Sequence, residues 1–350
     1  MGTWGRYDPA MTAKARLVET TEKDLAILRL RCGKGFQYTS HGRRLAAAKL
    51  PRIRALAIPP MWDEVLIATR DNCHIQAVGR DAKGRKQYIY HDAWHLAQQQ
   101  KKFERLAHFA EALPAMRKLC RALLRKRAWT KDKVLALMVL ILDETGIRIG
   151  NKQYLQENHT YGLTTLCRKH LAVHGRTVGF HFRGKSGKDL QVDIDDPALS
   201  TLVRKSAQLP GQTIFRYQDD DGSWQDIDSD DVNEFIRAHM GEEFSCKDFR
   251  TWVGTRLVLE VYPQALETQR KHPRKKLLNL LVAAIADELG NTVSVCRSYY
   301  IHPLLLELAE AGKLPVLSPA ALSSHHGAAK PGLSKVEKAT LEVLKKLARA

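Results

Sequence analysis

Five side chains in the central and C-terminal parts of the sequence could act together on a phosphate group: Arg148, Lys185, Arg250, Asn291 and Tyr300. Arg148 follows an apolar helical segment, and nearby glycines let its backbone approach a ligand closely. Lys185 lies in a glycine-flanked turn that could extend its ammonium group beside a phosphate. Arg250 lies early on a predicted helix, where a guanidinium can bind two phosphate oxygens and the helix N-terminus attracts anions. Phosphate chemistry is therefore the first hypothesis.

Each of these residues also has an ordinary structural explanation. An arginine such as Arg148 is more often a surface or ion-paired residue than a catalytic one. Lys185 is, on its own, more simply a solvated turn lysine. Asn291 after Gly290 is typical of a helix C-cap, and a tyrosine such as Tyr300 beside apolar helices is usually a core or interface residue. Only the combination of these signals favours chemistry.

The charge balance favours a polyanionic partner. The sequence has 350 residues, with 56 Lys and Arg against 38 Asp and Glu, a formal net charge of +18 and a pI near 9.7. A surplus of this size attracts nucleic acid, although a protein that is merely soluble and basic is the alternative interpretation. The hydrophobic share of 44% is ample for packed cores, and the length predicts two domains and a tail.

Several classes of site lack support in the sequence. The six cysteines form no C-x-x-C pair and the N-terminus has no signal-peptide pattern, so we expect reduced thiols in a cytosolic protein. The longest apolar run, residues 134–142, is far shorter than the roughly 20 residues that cross a bilayer, and no membrane association is expected. Nucleotide-binding loops are absent, and the acidic segment 219–231 fails the calcium-loop pattern because Trp224 takes the glycine position. We expect no metal or cofactor.

The N-terminal part predicts a small antiparallel β-rich domain over residues 1–91. Apolar and polar residues alternate at 64–69, 74–79 and 86–90, which is the pattern of half-buried strands. The turn before the last strand is basic and includes Arg85, and Tyr88 and Tyr90 lie on one face of that strand. These three side chains suit contacts with a DNA backbone.

The rest of the chain predicts a larger, mainly helical domain over residues 92–316, and the fold class is therefore α+β. Helical periodicity begins after Asp92 and runs to residue 124 with an interruption at Pro114, and a further buried helix begins at Thr130. Alternating residues at 171–173, 177–182 and 190–194 predict a β section whose last turn, residues 183–188, carries Lys185. Helices resume after Pro197 and Ser229 and dominate residues 245–311, and residues 317–350 predict a linker and an amphipathic helix.

Four sequence blocks and one tyrosine resemble the active-site blocks of poxvirus-type DNA topoisomerases of type IB, in the same order and at similar spacing. They are Thr145-Gly-Ile-Arg148, Phe182-Arg-Gly-Lys185, Lys247-Asp-Phe-Arg-Thr251, Gly290-Asn291 and Tyr300. The resemblance extends over roughly residues 25–314. It implies two domains that close as a clamp around duplex DNA.

The resemblance also implies a catalytic set and a reaction. Tyr300 would attack the scissile phosphate and form a 3′-phosphotyrosyl link, while Arg148 and Arg250 bind the phosphate and Lys185 protonates the leaving 5′ hydroxyl. Viral and eukaryotic relatives have histidine where this sequence has Asn291, whereas small members of the bacterial branch resemble this sequence in having asparagine. Either side chain can donate a hydrogen bond to a phosphate oxygen. The expected result is supercoil relaxation without ATP or metal.

Further expectations concern partners and DNA contacts. The partner is double-stranded DNA, and the protein is expected to be a cytoplasmic, nucleoid-associated monomer. The residues expected to contact DNA around the catalytic set are Lys247, Tyr154, Tyr88, Tyr90 and Arg85.

Three alternatives stay open at this point. Tyr299 is a rival nucleophile, although adjacent helical residues point about 100° apart and the nine-residue spacing from Asn291 favours Tyr300. A tyrosine recombinase shares the covalent chemistry, but its pattern has a histidine three residues before the second arginine, where this sequence has Lys247. A structural DNA-binding protein would use the same residues as phosphate contacts only.

Overall fold

The computed structural model describes residues 17–322 and 331–347, apart from the side chains of Tyr154 and Leu347. The chain divides into two compact units, which meet in sequence between Lys102 and Phe103. The predicted domain boundary, between residues 91 and 92, stays a prediction. Much of the expected linker, residues 323–330, lies outside the described residues.

Six antiparallel strands form the sheet of the first unit, in the spatial order β3-β2-β1-β4-β5-β6. The strands are β1 Ile27–Cys32, β2 Gly35–Ser40, β3 Arg43–Arg44, β4 Asp63–Ile67, β5 Ile75–Arg80 and β6 Lys86–Tyr90, and helix α1 is Leu50–Ala55. The three strands predicted from alternation correspond to β4, β5 and β6. The predicted antiparallel β unit is therefore confirmed, with three more strands before it.

Both faces of this sheet carry packed side chains, because successive residues of a strand point to opposite sides. Ile27, Ile67 and Ala77 are fully buried in the cluster on one side. On the other side the rings of Tyr88 and Tyr90 stack with centroids 5.8 Å apart. The two tyrosines therefore share one face of β6, as the sequence predicted.

The second unit is mainly helical, as predicted, and its hydrophobic core is continuous. Helix α2, Asp92–Glu104, contains the boundary between the two units. The helices that follow it are α3 Leu106–Leu124, α4 Lys131–Thr145, α5 Lys152–Asn158, α6 Pro197–Ala207, α7 Ser229–Met240, α8 Cys246–Lys271, α9 Leu277–Glu288, α10 Val293–Tyr299, α11 Pro303–Glu310, α12 Pro319–Leu322 and α13 Lys335–Leu347. Residues 133–143 of α4 are all buried, and α8 is similarly enclosed over most of its first half.

The helix break expected at Pro114 lies elsewhere, and this expectation was wrong. Pro114 is inside the continuous helix α3, and the chain instead breaks at Arg105, between α2 and α3. A proline removes one intrahelical hydrogen bond, and the buried neighbours Leu113 and Met116 hold α3 in the core across that loss. Arg105 forms an ion pair of 2.8 Å with Asp248, a tertiary contact that periodicity does not reveal.

Two small β structures complete the second unit. Strands β7 Leu171–His174, β8 Thr177–Arg183 and β9 Asp189–Ile194 form an antiparallel sheet, which confirms the predicted hairpin between the last two. The acidic segment 219–231 forms part of a short hairpin. Strands β10 Arg216–Gln218 and β11 Trp224–Asp226 pair there, and Arg216 and Asp226, which lie opposite each other in this pair, form an ion pair of 3.0 Å.

Within the described residues, no group of three or more His, Cys, Asp or Glu side chains is arranged to hold a metal ion. No single described helix is long and apolar enough to span a bilayer. Among the described helices, one pair, α9 and α10, meets that test of length and composition together, and it is bent by 95° at the break between the two helices.

Candidate active site

Arg250 is placed one turn into helix α8 by a well-capped helix start. Ser245 precedes the helix and exchanges hydrogen bonds with Asp248, whose carboxylate accepts from the Ser245 backbone and hydroxyl at 2.9 Å. Arg250 itself is 95% buried, and its guanidinium donates to the carbonyl oxygens of Gly146 and, at 3.0 Å, Leu289. Its orientation is therefore fixed by two backbone groups.

Arg148 lies on the segment directly after helix α4. Gly146 ends α4 in the left-handed conformation with φ of 61°. Gly150, with φ of 87°, packs so tightly on Gly162 that a side chain at either position would collide with backbone. The half-buried Arg148 side chain donates to the carbonyl oxygen of Gly290 at 3.2 Å and to the amide oxygen of Asn291.

Asn291 has both a capping role and an unpaired donor. Gly290, with φ of 61°, and Asn291 donate backbone N–H groups to Asp287 and Ala286, which is the Schellman pattern at the end of α9. The Asn291 side chain is 95% buried, and its Nδ2 lacks a hydrogen-bond partner among the described groups. A buried amide donor of this kind is suited to bind an anionic oxygen.

Tyr300 lies at the end of helix α10, with its ring under a guanidinium. The Arg250 Cζ atom is 5.0 Å from the centroid of the Tyr300 ring. The backbone of Tyr300 is held by Thr255, whose hydroxyl donates to the Tyr300 carbonyl oxygen at 3.3 Å, and by the close approach of Gly254. Tyr299, by contrast, is 46% exposed. The ring beneath the arginine is therefore that of Tyr300.

Lys185 lies at the tip of the β8–β9 hairpin, and its side chain is exposed. Ser186 and Gly187 have φ of 64° and 72°, and the turn is closed by a hydrogen bond of 2.7 Å from Gly184 N–H to the Lys188 carbonyl. Lys188 also donates from Nζ to the Asn291 carbonyl oxygen at 2.9 Å. The hairpin that carries Lys185 is therefore bonded to the Asn291 turn.

The pKa values of both site arginines are lowered by their surroundings. Burial lowers the pKa of Arg148. Burial, and next the charge of Arg148, lower the pKa of Arg250 to about 10, with Tyr300 acting in the opposite direction. Arg250 stays charged at neutral pH, so two mutually repelling cations lie beside one phenol and one amide donor. Such a cluster can stabilise a phosphate whose negative charge increases during attack.

Comparison with known proteins identifies the family. Residues 85–307 match the family model of the eukaryotic DNA topoisomerase I catalytic core. Residues 35–81 match the N-terminal domain of bacterial DNA topoisomerase IB. This chain belongs to the type IB DNA topoisomerase family. The predicted resemblance, the topoisomerase function and DNA as its substrate are thereby confirmed.

Individual relatives agree with this assignment. DNA topoisomerase 1B of Acanthamoeba polyphaga mimivirus is 31% identical over 287 residues, which cover 78% of this topoisomerase and 83% of the viral protein. DNA topoisomerase 1B of Vaccinia virus (strain Copenhagen) is 26% identical, over 71% of this chain and 75% of the relative. A solved structure of a site-specific recombinase bound to its substrate aligns with a TM-score of 0.32 at 15% identity, over 66% of this chain and 58% of that one.

The structure of this topoisomerase brings four of the five predicted catalytic residues together. Arg148 bonds to Asn291 and Arg250 lies over the Tyr300 ring, and the two pairs are joined through the backbone of Leu289 and Gly290, to which the two arginines donate. Lys185 lies on an exposed turn that is bonded to Asn291 through Lys188. These roles stay predictions, since the comparisons identify the family without assigning residues.

The peripheral DNA contacts predicted from sequence are placed but stay untested. Lys247 is exposed in the first turn of α8. In the first unit, Arg85 is ion-paired with Asp81 at 2.8 Å. The Tyr88 hydroxyl donates to Glu22 at 2.6 Å, and this hydrogen bond raises the pKa of Tyr88. The predicted contact at Tyr154 falls on a side chain outside the described part of the structure.

The site residues predicted from the sequence do not include Lys188, Gly254 or Thr255, although all three contact the site. Gly254 follows Arg250 by four residues and so lies on the same face of α8, a spacing that the sequence does contain. For Lys188 and Thr255 the decisive contacts are with Asn291 and Tyr300, far along the chain.

Proposed function

We propose that Tyr300 is the nucleophile of this topoisomerase and that the cluster around it binds one scissile phosphate of duplex DNA. The phenolic oxygen forms a bond to phosphorus, and the bond from phosphorus to the 5′ oxygen of the next nucleotide breaks. The covalent 3′-phosphotyrosyl link conserves the energy of the phosphodiester, so the freed strand can rotate and its 5′ hydroxyl can attack back. The stacking of Arg250 on Tyr300 is the observation that supports this assignment most directly.

Arg148 and Arg250 stabilise the transition state. A phenol has a pKa of about 10, so attack at neutral pH requires neighbouring positive charge that favours the phenolate. Two guanidiniums provide that charge and can each donate to nonbridging oxygens as negative charge builds up on them. The free Nδ2 of Asn291 adds a neutral donor in the position where the resembling viral enzymes have histidine.

Lys185 is the general acid for the leaving 5′ oxygen. An alkoxide is a poor leaving group, and a protonated amine within hydrogen-bond reach of that oxygen can supply the proton as the bond breaks. The exposed position of Lys185 on a hairpin supports this role because DNA can reach the ammonium group. Religation reverses the transfer, with the neutral amine accepting the proton from the 5′ hydroxyl.

Plasmid relaxation tests the proposed nucleophile. Negatively supercoiled plasmid is incubated with the protein in EDTA without ATP, and topoisomers are resolved by gel electrophoresis. Wild-type protein is expected to relax the plasmid, Tyr300→Phe to lose all relaxation, and Tyr299→Phe, the matched control, to keep most of it. The expectation follows because the ring of Tyr300 lies under Arg250, whereas the Tyr299 side chain is 46% exposed.

A second readout separates loss of chemistry from loss of DNA binding. Denaturing the reaction with detergent traps covalent protein–DNA adducts, which are expected for the wild type and Tyr299→Phe only. Tyr300→Phe is expected to bind duplex DNA as tightly as the wild type in a gel-shift assay. An active Tyr300→Phe protein, or an adduct that persists in it, contradicts the assignment.

A further inference from the structure

Lys188 connects two parts of the site that the proposed reaction uses for different purposes. Its Nζ donates to the carbonyl oxygen of Asn291 at 2.9 Å, while the Asn291 side chain accepts from Arg148. Its own carbonyl oxygen closes the turn by accepting from Gly184 at 2.7 Å. Lys188 therefore closes the turn that carries Lys185 and also bonds that turn to the backbone of Asn291.

Apolar packing supports the same connection. Leu190, two residues after Lys188 on β9, packs against both Gly184 and Gly290, and a Cβ at either glycine would collide with it. Gly184 is at the base of the Lys185 turn, and Gly290 directly precedes Asn291. Leu190 packing therefore holds the base of the hairpin against the end of helix α9, in addition to the Lys188 hydrogen bond.

The electrostatic setting of this hydrogen bond is favourable. The Asn291 carbonyl lies just beyond the C-terminus of α9, where the helix dipole places partial negative charge. An ammonium group binds such a carbonyl more strongly than a neutral donor would. Lys185, in contrast, is exposed on a turn whose next two residues have positive φ, so its position depends on how the turn is anchored.

We propose that Lys188 is a positioning residue that holds the Lys185 hairpin against the Asn291 turn and so sets the distance from the general acid to the leaving oxygen. This inference rests on the proposed function, in which Lys185 is the acid. A general acid must lie within hydrogen-bond reach of the atom that it protonates, and a displacement of about 1 Å can cost about 100-fold in rate. Lys188 does not itself exchange a proton with DNA.

The test compares two leaving groups in single-turnover cleavage of a short duplex. One duplex has the normal 5′ oxygen at the scissile bond, and the other has a bridging 5′ sulfur, which leaves as a thiolate and needs no general acid. Lys185→Met is expected to lose about 100-fold or more with oxygen and to recover with sulfur. Lys188→Met is expected to lose about 10-fold to 100-fold with oxygen and to recover in the same way.

Matched variants distinguish positioning from a direct phosphate contact. Lys188→Gln keeps an N–H donor for the Asn291 carbonyl without the charge, and it is expected to retain more activity than Lys188→Met. The double variant Lys185→Met with Lys188→Met is expected to be no slower than Lys185→Met alone, because both changes remove one function. Lys313→Met, an exposed lysine outside the cluster, is expected to match the wild type.

Three results would overturn the proposal. If Lys188→Met stays slow with sulfur while Lys185→Met recovers, Lys188 binds a phosphate directly. The DNA affinity of Lys188→Met should then depend less steeply on salt than that of the wild type, by about one phosphate contact. If Lys188→Met is as fast as the wild type with oxygen, the hydrogen bond has no positioning role. If Lys185→Met itself fails to recover with sulfur, the general acid of the proposed function is wrong and this inference falls with it.

Discussion

Gly254 lets helix α8 approach the backbone of Tyr300 closely. A Cβ at position 254 would lie 2.7 Å from the Tyr300 carbonyl oxygen and 3.2 Å from the Tyr300 Cβ. The nearest obstacle is backbone, so added volume must displace the segment that carries the nucleophile. Tyr300 would then shift relative to Arg250, which lies one turn earlier on α8.

We expect Gly254→Ala to reduce cleavage at least about 10-fold, because a shift of well under 1 Å already disturbs an in-line attack. Overpacking of this kind also costs about 1–3 kcal/mol of stability. Single-turnover cleavage and a gel shift on the same duplex check the prediction, with binding expected to be unchanged. Gly35→Ala is the control, since its Cβ would have no neighbour nearer than 4.0 Å. Normal cleavage by Gly254→Ala would show that α8 yields at this position.

The catalytic candidates could be found from the sequence, whereas the residues that position them could not. Arg250, Tyr300 and the other catalytic candidates were found because their blocks resemble a family whose order and spacing match. Thr255 and Lys188 act through contacts with Tyr300 and Asn291, 45 and 103 positions away in sequence. Such pairings depend on how helices and hairpins pack, which local pattern does not specify.

Among the elements, the end of helix α4 carries an unusual carboxyl group. Glu144 lies at a cavity that is also lined by Asp193, Asp195 and Glu288. Burial raises the pKa of Glu144 to about 7, against the opposing effect of backbone N–H groups that donate to its Oε1. Arg256 donates to the Glu144 backbone carbonyl at 3.1 Å. This helix end directly precedes the segment that bears Arg148.

We expect Glu144→Gln to remove a pH dependence of folding stability. Because the folded-state pKa of Glu144 is raised from 4.5 to about 7, its protonated form stabilises the fold fully below about pH 4.5. That contribution is lost as the pH rises towards 7. Between pH 4.5 and 8 the thermal unfolding temperature should therefore fall less steeply for Glu144→Gln than for the wild type. The surface control Glu267→Gln should show the same pH dependence as the wild type. Parallel curves for wild type and Glu144→Gln would refute the raised pKa.

Helices and strands were largely predictable from periodicity, whereas their breaks were not. The strands at 171–194 and the helix capped by Thr130 were predicted because alternation and capping are local signals. The break at Arg105 is not local. Phe103 packs on His302 with ring centroids 5.0 Å apart, and Arg105 pairs with Asp248, so tertiary contacts and not a helix breaker determine where α2 ends.

For the molecule as a whole, the helix beyond the matched family region is part of the core. The catalytic family model ends at residue 307, and the sequence left the role of the last helix unassigned. In α13, Glu337 is 97% buried and bonds to Arg117, which also binds Asp143 at 2.6 Å. Trp252 donates to the same carboxylate at 3.4 Å. Asp143 and Trp252 are each within a few residues of a site arginine, so α13 supports the elements that bear both.

We expect Glu337→Gln to lower the free energy of unfolding by about 3–5 kcal/mol at neutral pH, because it leaves Arg117 buried with half its charge compensation. Burial raises the pKa of Glu337, but the hydrogen bond and charge of Arg117 outweigh burial and lower that pKa from 4.5 to about 2. The stabilisation is therefore complete above about pH 4.5 and is lost as the pH falls towards 2.

Denaturant unfolding at pH 7 and at pH 3 checks both parts of this prediction. The difference in the free energy of unfolding between the wild type and Glu337→Gln should be smaller at pH 3 than at pH 7. Glu342→Gln, exposed on the same helix, should match the wild type at either pH. An equally mild effect of both substitutions would mean that α13 only covers the core without being bonded into it, and the Arg148 and Arg250 helices would then have to be held by their own packing alone.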